Sequence, residues 1–550
     1  MIQQYQAQVC IIGAGPVGLS LAMDLAKRGI QVIMTEIRYR GEAPNVKCNH
    51  VSARSMEIFR RLGIAKEVRQ AGLPDDYPND VVYKTRFLGE ELSRIRIPCR
   101  NERYSVTEGP DANWPTAEPP HRINQIYLEP ILFAAAQKLQ NIQILNRTHA
   151  LDFIEKSDYC EVKAVNLHSH QEIKIRADFI IGCDGGRSMV RKKIGTQLSG
   201  VGELGKVQST CIRAPELLKK LKHTPAWATF SVNPDRGGNV YAIDGKEIWL
   251  IHNYLNTAED DFESIDRDQS IRNILGVDAD FKYEVLSKED WVARRLVADK
   301  FREGRVFICG DAAHLWVPMA GYGMNAGIAD AMNLSWTLAA YLNGWAGQDI
   351  LDIYQIERQP ITSQVSKFAM NHALALHKER QQVSAEIEAQ TPAGERSRAE
   401  FGKTLYELNV RQYCCSGLNF GYFYDQSPII FYDQEQAPAY DMNDFVSSTV
   451  PGCRTPHFYL EDGASLYDRL EQEYTLLCFG GVVPNSFIKA AAECGFPLSI
   501  LNLPEITEEL FALGYKTKYL LTRPDQHTAW RGDALPEQPE SFFARLAGRN

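Results

Sequence analysis

Gln8-Val9-Cys10-Ile11-Ile12-Gly13-Ala14-Gly15-Pro16-Val17-Gly18 is a short apolar run that breaks into a glycine turn. Leu19 to Arg28 then carries apolar residues at helical spacing and stops at Gly29. Ile30 to Thr35 is a second apolar run, closed by Glu36. Strand, glycine turn, helix and strand make one βαβ unit, the element from which dinucleotide-binding folds are built. Gly13 permits the tight turn, Gly15 lets the backbone approach a pyrophosphate, and Gly18 allows close helix–strand contact. Pro16 stands with them at the head of the helix, whose N-terminus offers N–H groups to phosphates. Glu36 is placed to accept hydrogen bonds from a ribose hydroxyl. The motif alone does not separate FAD from NAD.

A second motif, at the far end of the chain, makes that distinction. Gly304-Arg305-Val306-Phe307-Ile308-Cys309-Gly310-Asp311-Ala312-Ala313-His314 reads as a buried strand delivering an aspartate. Pro318-Met319-Ala320-Gly321-Tyr322-Gly323-Met324-Asn325 follows as a glycine-rich loop opening a long helix from Gly323 to Leu342. An aspartate can hold a sugar-alcohol chain. A helix N-terminus can sit beneath a ring that becomes anionic on reduction. A flavin has both a ribityl chain and such a ring edge; NAD has neither.

These residues resemble the class A flavoprotein monooxygenases, the p-hydroxybenzoate hydroxylase-like family. The resemblance implies that Asp311 binds the ribityl chain and that Pro318, Gly321, Gly323, Met324 and Asn325 border the isoalloxazine. Asp184 lies in Phe179-Ile180-Ile181-Gly182-Cys183-Asp184-Gly185-Gly186, similar to the family's DG motif, which supports FAD and the nicotinamide cofactor. Arg122-Ile123-Asn124-Gln125 resembles the segment whose glutamine, here Gln125, contacts the ribityl region. Ala53-Arg54-Ser55-Met56-Glu57 resembles the segment whose arginine, here Arg54, lies near the cofactor. Pro451-Gly452-Cys453-Arg454-Thr455-Pro456-His457 is similar to the start of a thioredoxin-like extension in longer members, the phenol, 3-hydroxyphenylpropionate and polyketide hydroxylases. Redox-active thioredoxin folds carry CxxC. This region has isolated Cys453, Cys478 and Cys494, which suits a structural or assembly role.

The expected fold is α/β: a Rossmann-like FAD-binding domain (1–75, 105–190 and 290–400), an inserted antiparallel substrate sheet (76–104 and 191–289), and a thioredoxin-like C-terminal domain (440–550). The segment from Leu73 to Pro120 has little periodicity and reads as a lobe that leaves the nucleotide domain and returns. A helix is expected from Val51 to Leu62. Asn239 to Tyr254 reads as a hairpin turning at Asp244-Gly245. A loop with an even number of residues puts Tyr241 and His252 on one face of the sheet; an odd loop separates them. Facing a flavin, the two could hold or deprotonate a phenol. Packing alone also accounts for both residues, and for Trp227 and Arg213.

The resemblance implies a cycle in which NADPH or NADH docks transiently and reduces FAD. Reduced FAD then holds O2 as a C4a-hydroperoxide, and one oxygen atom passes to a small phenolic or related aromatic substrate. Baeyer–Villiger-type or polycyclic natural-product oxygenation on the same scaffold stays open, as does a non-oxygenating flavin oxidoreductase. Members of the family are often homodimers. The 60 basic and 69 acidic residues give a net charge of −9 without a basic footprint for nucleic acid or an anionic membrane. No apolar run approaches a membrane span. The 12 cysteines show neither CxxC spacing nor a Cys/His cluster, so no metal site is expected. Scattered thiols and the absence of a signal-peptide pattern near residue 1 point to the cytoplasm.

Overall fold

The computed structural model describes residues 2–47, 49–255, 261–317, 321–380 and 382–549. Its three sheets are joined by α-helices in a mixed α/β fold. The first sheet is built on the strand Gln3–Ile12, which pairs in parallel with Val32–Glu36 on one side and Glu172–Gly182 on the other. Val306–Ile308 adds in parallel to Glu172–Gly182. Ile12 is registered against Gly182, and Gly182 against Ile308. The three strands therefore end level. The turn at Gly13, the pair Asp184-Gly185 and the pair Gly310-Asp311 are delivered to one carboxyl edge, the place where such sheets bind ligands. The inner halves of these strands are apolar and fully buried, with the helix Pro16–Lys27 packed against them.

The helix Pro16–Lys27 starts with Pro at its first turn and ends before Gly29, whose φ of +84° closes it in the left-handed region. The 21-residue helix Tyr322–Leu342 packs across it. The approach is close: a Cβ at Gly327 would lie 2.7 Å from Val17 Cγ2 and 3.0 Å from the Gly310 Cα. The helix expected from Val51 begins instead at Ala53. Val51 makes a bridge to His121, and the Ser52 hydroxyl caps the helix by accepting the Ser55 N–H.

The second sheet has eight strands, antiparallel except where Val81–Lys84 lies parallel to Ala228–Ser231. The aperiodic lobe between Leu73 and Pro120 supplies two of the strands, Val81–Lys84 and Glu91–Ile95. They are too short to show a period. The border expected at residue 290 falls inside the strand Glu284–Ala298, which runs along Leu198–Arg213 through two irregularities. His314–Leu315 then joins the edge of this sheet, so the two sheets meet at the Asp311 loop.

The third sheet, near the C-terminus, has the order Leu498–Leu503, Tyr474–Phe479, Tyr519–Thr522, Thr528–Gly532. A parallel βαβ unit followed by an antiparallel hairpin and a final helix is the thioredoxin-like arrangement. Its Tyr474, Phe487, Phe496 and Phe543 share one apolar core with Trp336 of the helix Tyr322–Leu342 and with Trp345 in the turn that follows it. Cys453, Cys478 and Cys494 are free thiols. No helix of the described residues is long and apolar enough to cross a membrane.

Candidate active site

A cavity of about 950 Å3 runs from the carboxyl edge of the first sheet to one face of the second. Gly13, Gly15, Pro16, Gly18, Glu36, Gln125, Asp184, Asp311, Gly321, Gly323 and Met324 all line it. At the first end, two glycines are fixed by protein contacts. Gly13 has φ +107°, and a Cβ there would sit 2.3 Å from the Cys183 carbonyl oxygen. A Cβ on Gly18 would sit 2.2 Å from the Gly13 oxygen. Gly15 and Gly323 differ: nothing in the protein lies within 4 Å of a Cβ built on either. Each keeps space open at the start of a helix that has no side-chain cap and no acidic residue in its first turn. Two bare helix N-termini thus open on one cavity, each favourable to negative charge.

The acidic residues at this end are ready acceptors. Asp184 Oδ2 accepts the Met189 N–H at 2.7 Å, while its Oδ1 is buried without a partner. Asp311 is exposed to the cavity and makes no side-chain hydrogen bond among the described residues. Glu36 accepts the Ala14 and Arg38 N–H groups at 3.0 Å. Burial pushes its pKa up, but the Arg38 guanidinium and these N–H groups outweigh it, and the carboxyl stays below the usual range. Arg38 also holds Glu129 at 2.7 Å, and Glu129 accepts from Gln125 at 2.6 Å. Bare N–H groups for a pyrophosphate, acceptors for ribose and polyol hydroxyls, and a second helix end for an electron-rich ring together fit FAD.

Two expected cofactor residues fall elsewhere, and a third is not described. Pro318 lies outside the described residues. Asn325 is buried away from the cavity: it accepts the Ser52 N–H at 2.9 Å and donates to the carbonyls of His50 and Gly321. It fastens the loop rather than facing a ligand. Arg54 is also turned away. Its guanidinium donates to Glu57 at 3.0 Å, to the Asp525 carbonyl at 2.6 Å and to Gln526. The C-terminal domain supplies the partners that helix position alone could not reveal.

At the other end the hairpin settles the open parity. Tyr241 is registered against Leu250 and Asn239 against His252, around a turn in which Asp244 accepts three backbone N–H groups. Tyr241 and His252 therefore share the cavity face, with ring centroids 5.4 Å apart. Trp227, Phe230, Tyr254, Trp291 and Tyr413 complete an aromatic wall. Alternation from Tyr241 and His252 could have found Asn239 and Tyr254; Tyr413 comes from the helix Pro392–Tyr413 and had no such signal. Arg213 stays outside, ion-paired to Glu247 and Glu284. Burial drives the Tyr241 hydroxyl well above its usual pKa and pulls His252 down to about 4. At neutral pH the pair is a hydroxyl donor and a neutral imidazole. Among the described residues, no group of three or more His, Cys, Asp or Glu could hold a metal.

The FAD binding domain family matches residues 6–369, and the chain belongs to it. It is an FAD-dependent monooxygenase of the class A aromatic-hydroxylase type, with NAD(P)H the reductant typical of that family. An FAD-dependent monooxygenase of Emericella nidulans is 28% identical over 98% of this chain and 90% of its own length. Phenol 2-monooxygenase of a Pseudomonas species is 28% identical over 99% and 93%. The structure of the rebeccamycin biosynthetic enzyme RebC with reduced flavin superposes with a TM-score of 0.89, at 30% identity over the full length of both chains.

Proposed function

We propose that the protein inserts one atom of O2 into a phenolic or fused aromatic substrate, drawing electrons from NADPH or NADH. The observation that carries this reading is the continuity of the cavity from Gly15 and Asp311 to Tyr241 and His252. Bound FAD supplies the electron transfer and the oxygen chemistry. In this reading Gly13, Gly15, Pro16 and Gly18 receive the pyrophosphate, and Glu36 a ribose. Asp184, Gln125 and Asp311 hold the polyol, and Gly321, Gly323 and Met324 border the ring. The aromatic wall stacks a flat substrate and excludes water. The name of phenol 2-monooxygenase supports a phenol.

His252 then accepts a hydrogen bond from the substrate hydroxyl, raising electron density on the ring carbons ortho and para to it. Burial holds the His252 imidazole neutral and makes it a weak base toward a phenol. Orientation and polarisation, rather than stored phenolate, are the role this residue can fill. The test is NADPH and NADH oxidation, with oxygen uptake, by the FAD-loaded protein across phenols and hydroxylated fused-ring compounds. A product heavier by one oxygen atom is expected. A flavin that neither nicotinamide reduces with any compound would overturn the reading; turnover without oxygen uptake would favour a non-oxygenating oxidoreductase.

A further inference from the structure

The polar groups on the aromatic wall are biased toward donors, and one network shows why. Arg380 Nη2 donates to Asn239 Oδ1 at 2.8 Å, which fixes the orientation of the Asn239 amide. Its Nδ2 must then face the tyrosines, and it donates to Tyr241 Oη at 3.2 Å and Tyr254 Oη at 2.9 Å. Both hydroxyls already accept, so their protons are left to donate, and no acceptor takes them among the described residues.

Arg122 adds a fixed positive charge to the same wall. It is 5% exposed, lines the cavity, and lies over the Trp227 ring at 4.5 Å from the centroid. One of its nitrogens meets His50 Nδ1, and Nη2 is buried with no partner. Burial and the neighbouring guanidinium hold His50 well below its usual pKa, so its Nδ1 is an acceptor and supplies no counter-charge. Asp111, the carboxylate whose charge acts on Arg122, is taken: Arg103 binds its Oδ2 at 2.5 Å and the Trp114 indole its Oδ1 at 3.0 Å. Among the described residues Arg122 has no ion-pair partner. A buried guanidinium without one is costly unless a ligand completes it.

We infer that the substrate carries a carboxylate on its aromatic frame, bound by Arg122 and the hydroxyls of Tyr241 and Tyr254. This deepens the proposed hydroxylation and rests on that reading for the identity of the wall as the substrate site. Arg122 is thereby a specificity-determining residue, fixing the acid group at the wall formed with Trp227.

The test uses the FAD-loaded protein and three probes: 1-hydroxy-2-naphthoate, its amide, and 1-naphthol. Binding is read from the change in the flavin absorption spectrum, with oxygen uptake measured in parallel. The carboxylate is expected to bind about tenfold tighter than the amide or naphthol. Arg122→Gln is expected to abolish that preference, and Arg122→Lys to keep part of it. Equal binding of acid and amide by the unaltered protein overturns the proposal, as does a preference that survives Arg122→Gln. The wild-type comparison stands even if a variant fails to hold flavin. Hydroxylation of neutral phenols without carboxylate preference removes the anion site and leaves the oxygenase; Arg122-dependent carboxylate binding without turnover of any probe does the reverse.

Discussion

His314 Nε2 meets Asp330 Oδ2 at 2.7 Å, and Arg358 Nε holds the other oxygen of that carboxylate at the same distance. All three side chains are buried, and His314 stands just past the Asp311 loop, its ring 4.8 Å from Trp316. The histidine of the GDAAH motif is thus an anchor for the loop and does not line the cavity. Asp330→Asn would leave Arg358 buried opposite a neutral amide. Urea unfolding should show a loss of about 3–5 kcal/mol, with weaker FAD retention. A variant within about 1 kcal/mol of the wild type would show that the carboxylate does not hold the loop.

The two kinds of glycine at the first turn should separate in experiment. Gly18→Ala drives a methyl into the Gly13 backbone and should lower both the thermal midpoint of the apoprotein and its flavin content. Gly15→Ala meets no protein atom and should leave that midpoint within a few degrees while FAD affinity falls at least about tenfold. Full flavin affinity in Gly15→Ala would remove the pyrophosphate from this turn.

His252 sets a pH expectation. Burial disfavours the imidazolium, so the folded pKa of about 4 lies below the ordinary value, and the ring is neutral throughout the neutral range. Any contribution of the neutral ring to kcat should be constant from about pH 5.5 upward and disappear as pH falls through about 4. His252→Ala should lower kcat by about 10- to 100-fold without moving the profile between pH 6 and 8. An acid limb near pH 6.5 that vanishes in His252→Ala would show an ordinary, hydrated imidazole instead.

Arg54 makes the opposite prediction from a cofactor ligand. Arg54→Met removes the bonds to Asp525 and Gln526 and should destabilise the protein by about 2–4 kcal/mol. FAD affinity, measured well below the unfolding temperature, should stay within about twofold of the wild type. Unchanged stability with a large loss of flavin would return Arg54 to the cofactor.

The cofactor end was legible because each part of it is local. A strand that stops in glycine or aspartate encodes both its own burial and the group it delivers, and three such strands need only lie side by side. The substrate end was legible halfway. Its hairpin told that Tyr241 and His252 share a face only if the turn was even, and Asp244, by gathering three N–H groups, decides that. The charge on the wall was not legible. Arg122 sits beside a readable helix start, but its lack of a carboxylate depends on Asp111 being occupied by Arg103 and Trp114. Arg54 misled for a similar reason: two of its three partners stand more than 470 residues away in the chain.

The strand Val306–Ile308 completes a sheet begun by Gln3–Ile12. During synthesis at about 5–20 residues per second, the first glycine turn therefore waits on the order of 15–60 s before the loop that closes the opposite end of its pocket leaves the ribosome. In that interval the nascent chain displays an unpaired parallel edge and half a binding site. Cofactor capture is in consequence a late event in biogenesis, and a yellow, flavin-retaining product reports that the polypeptide has been made at least through Met324.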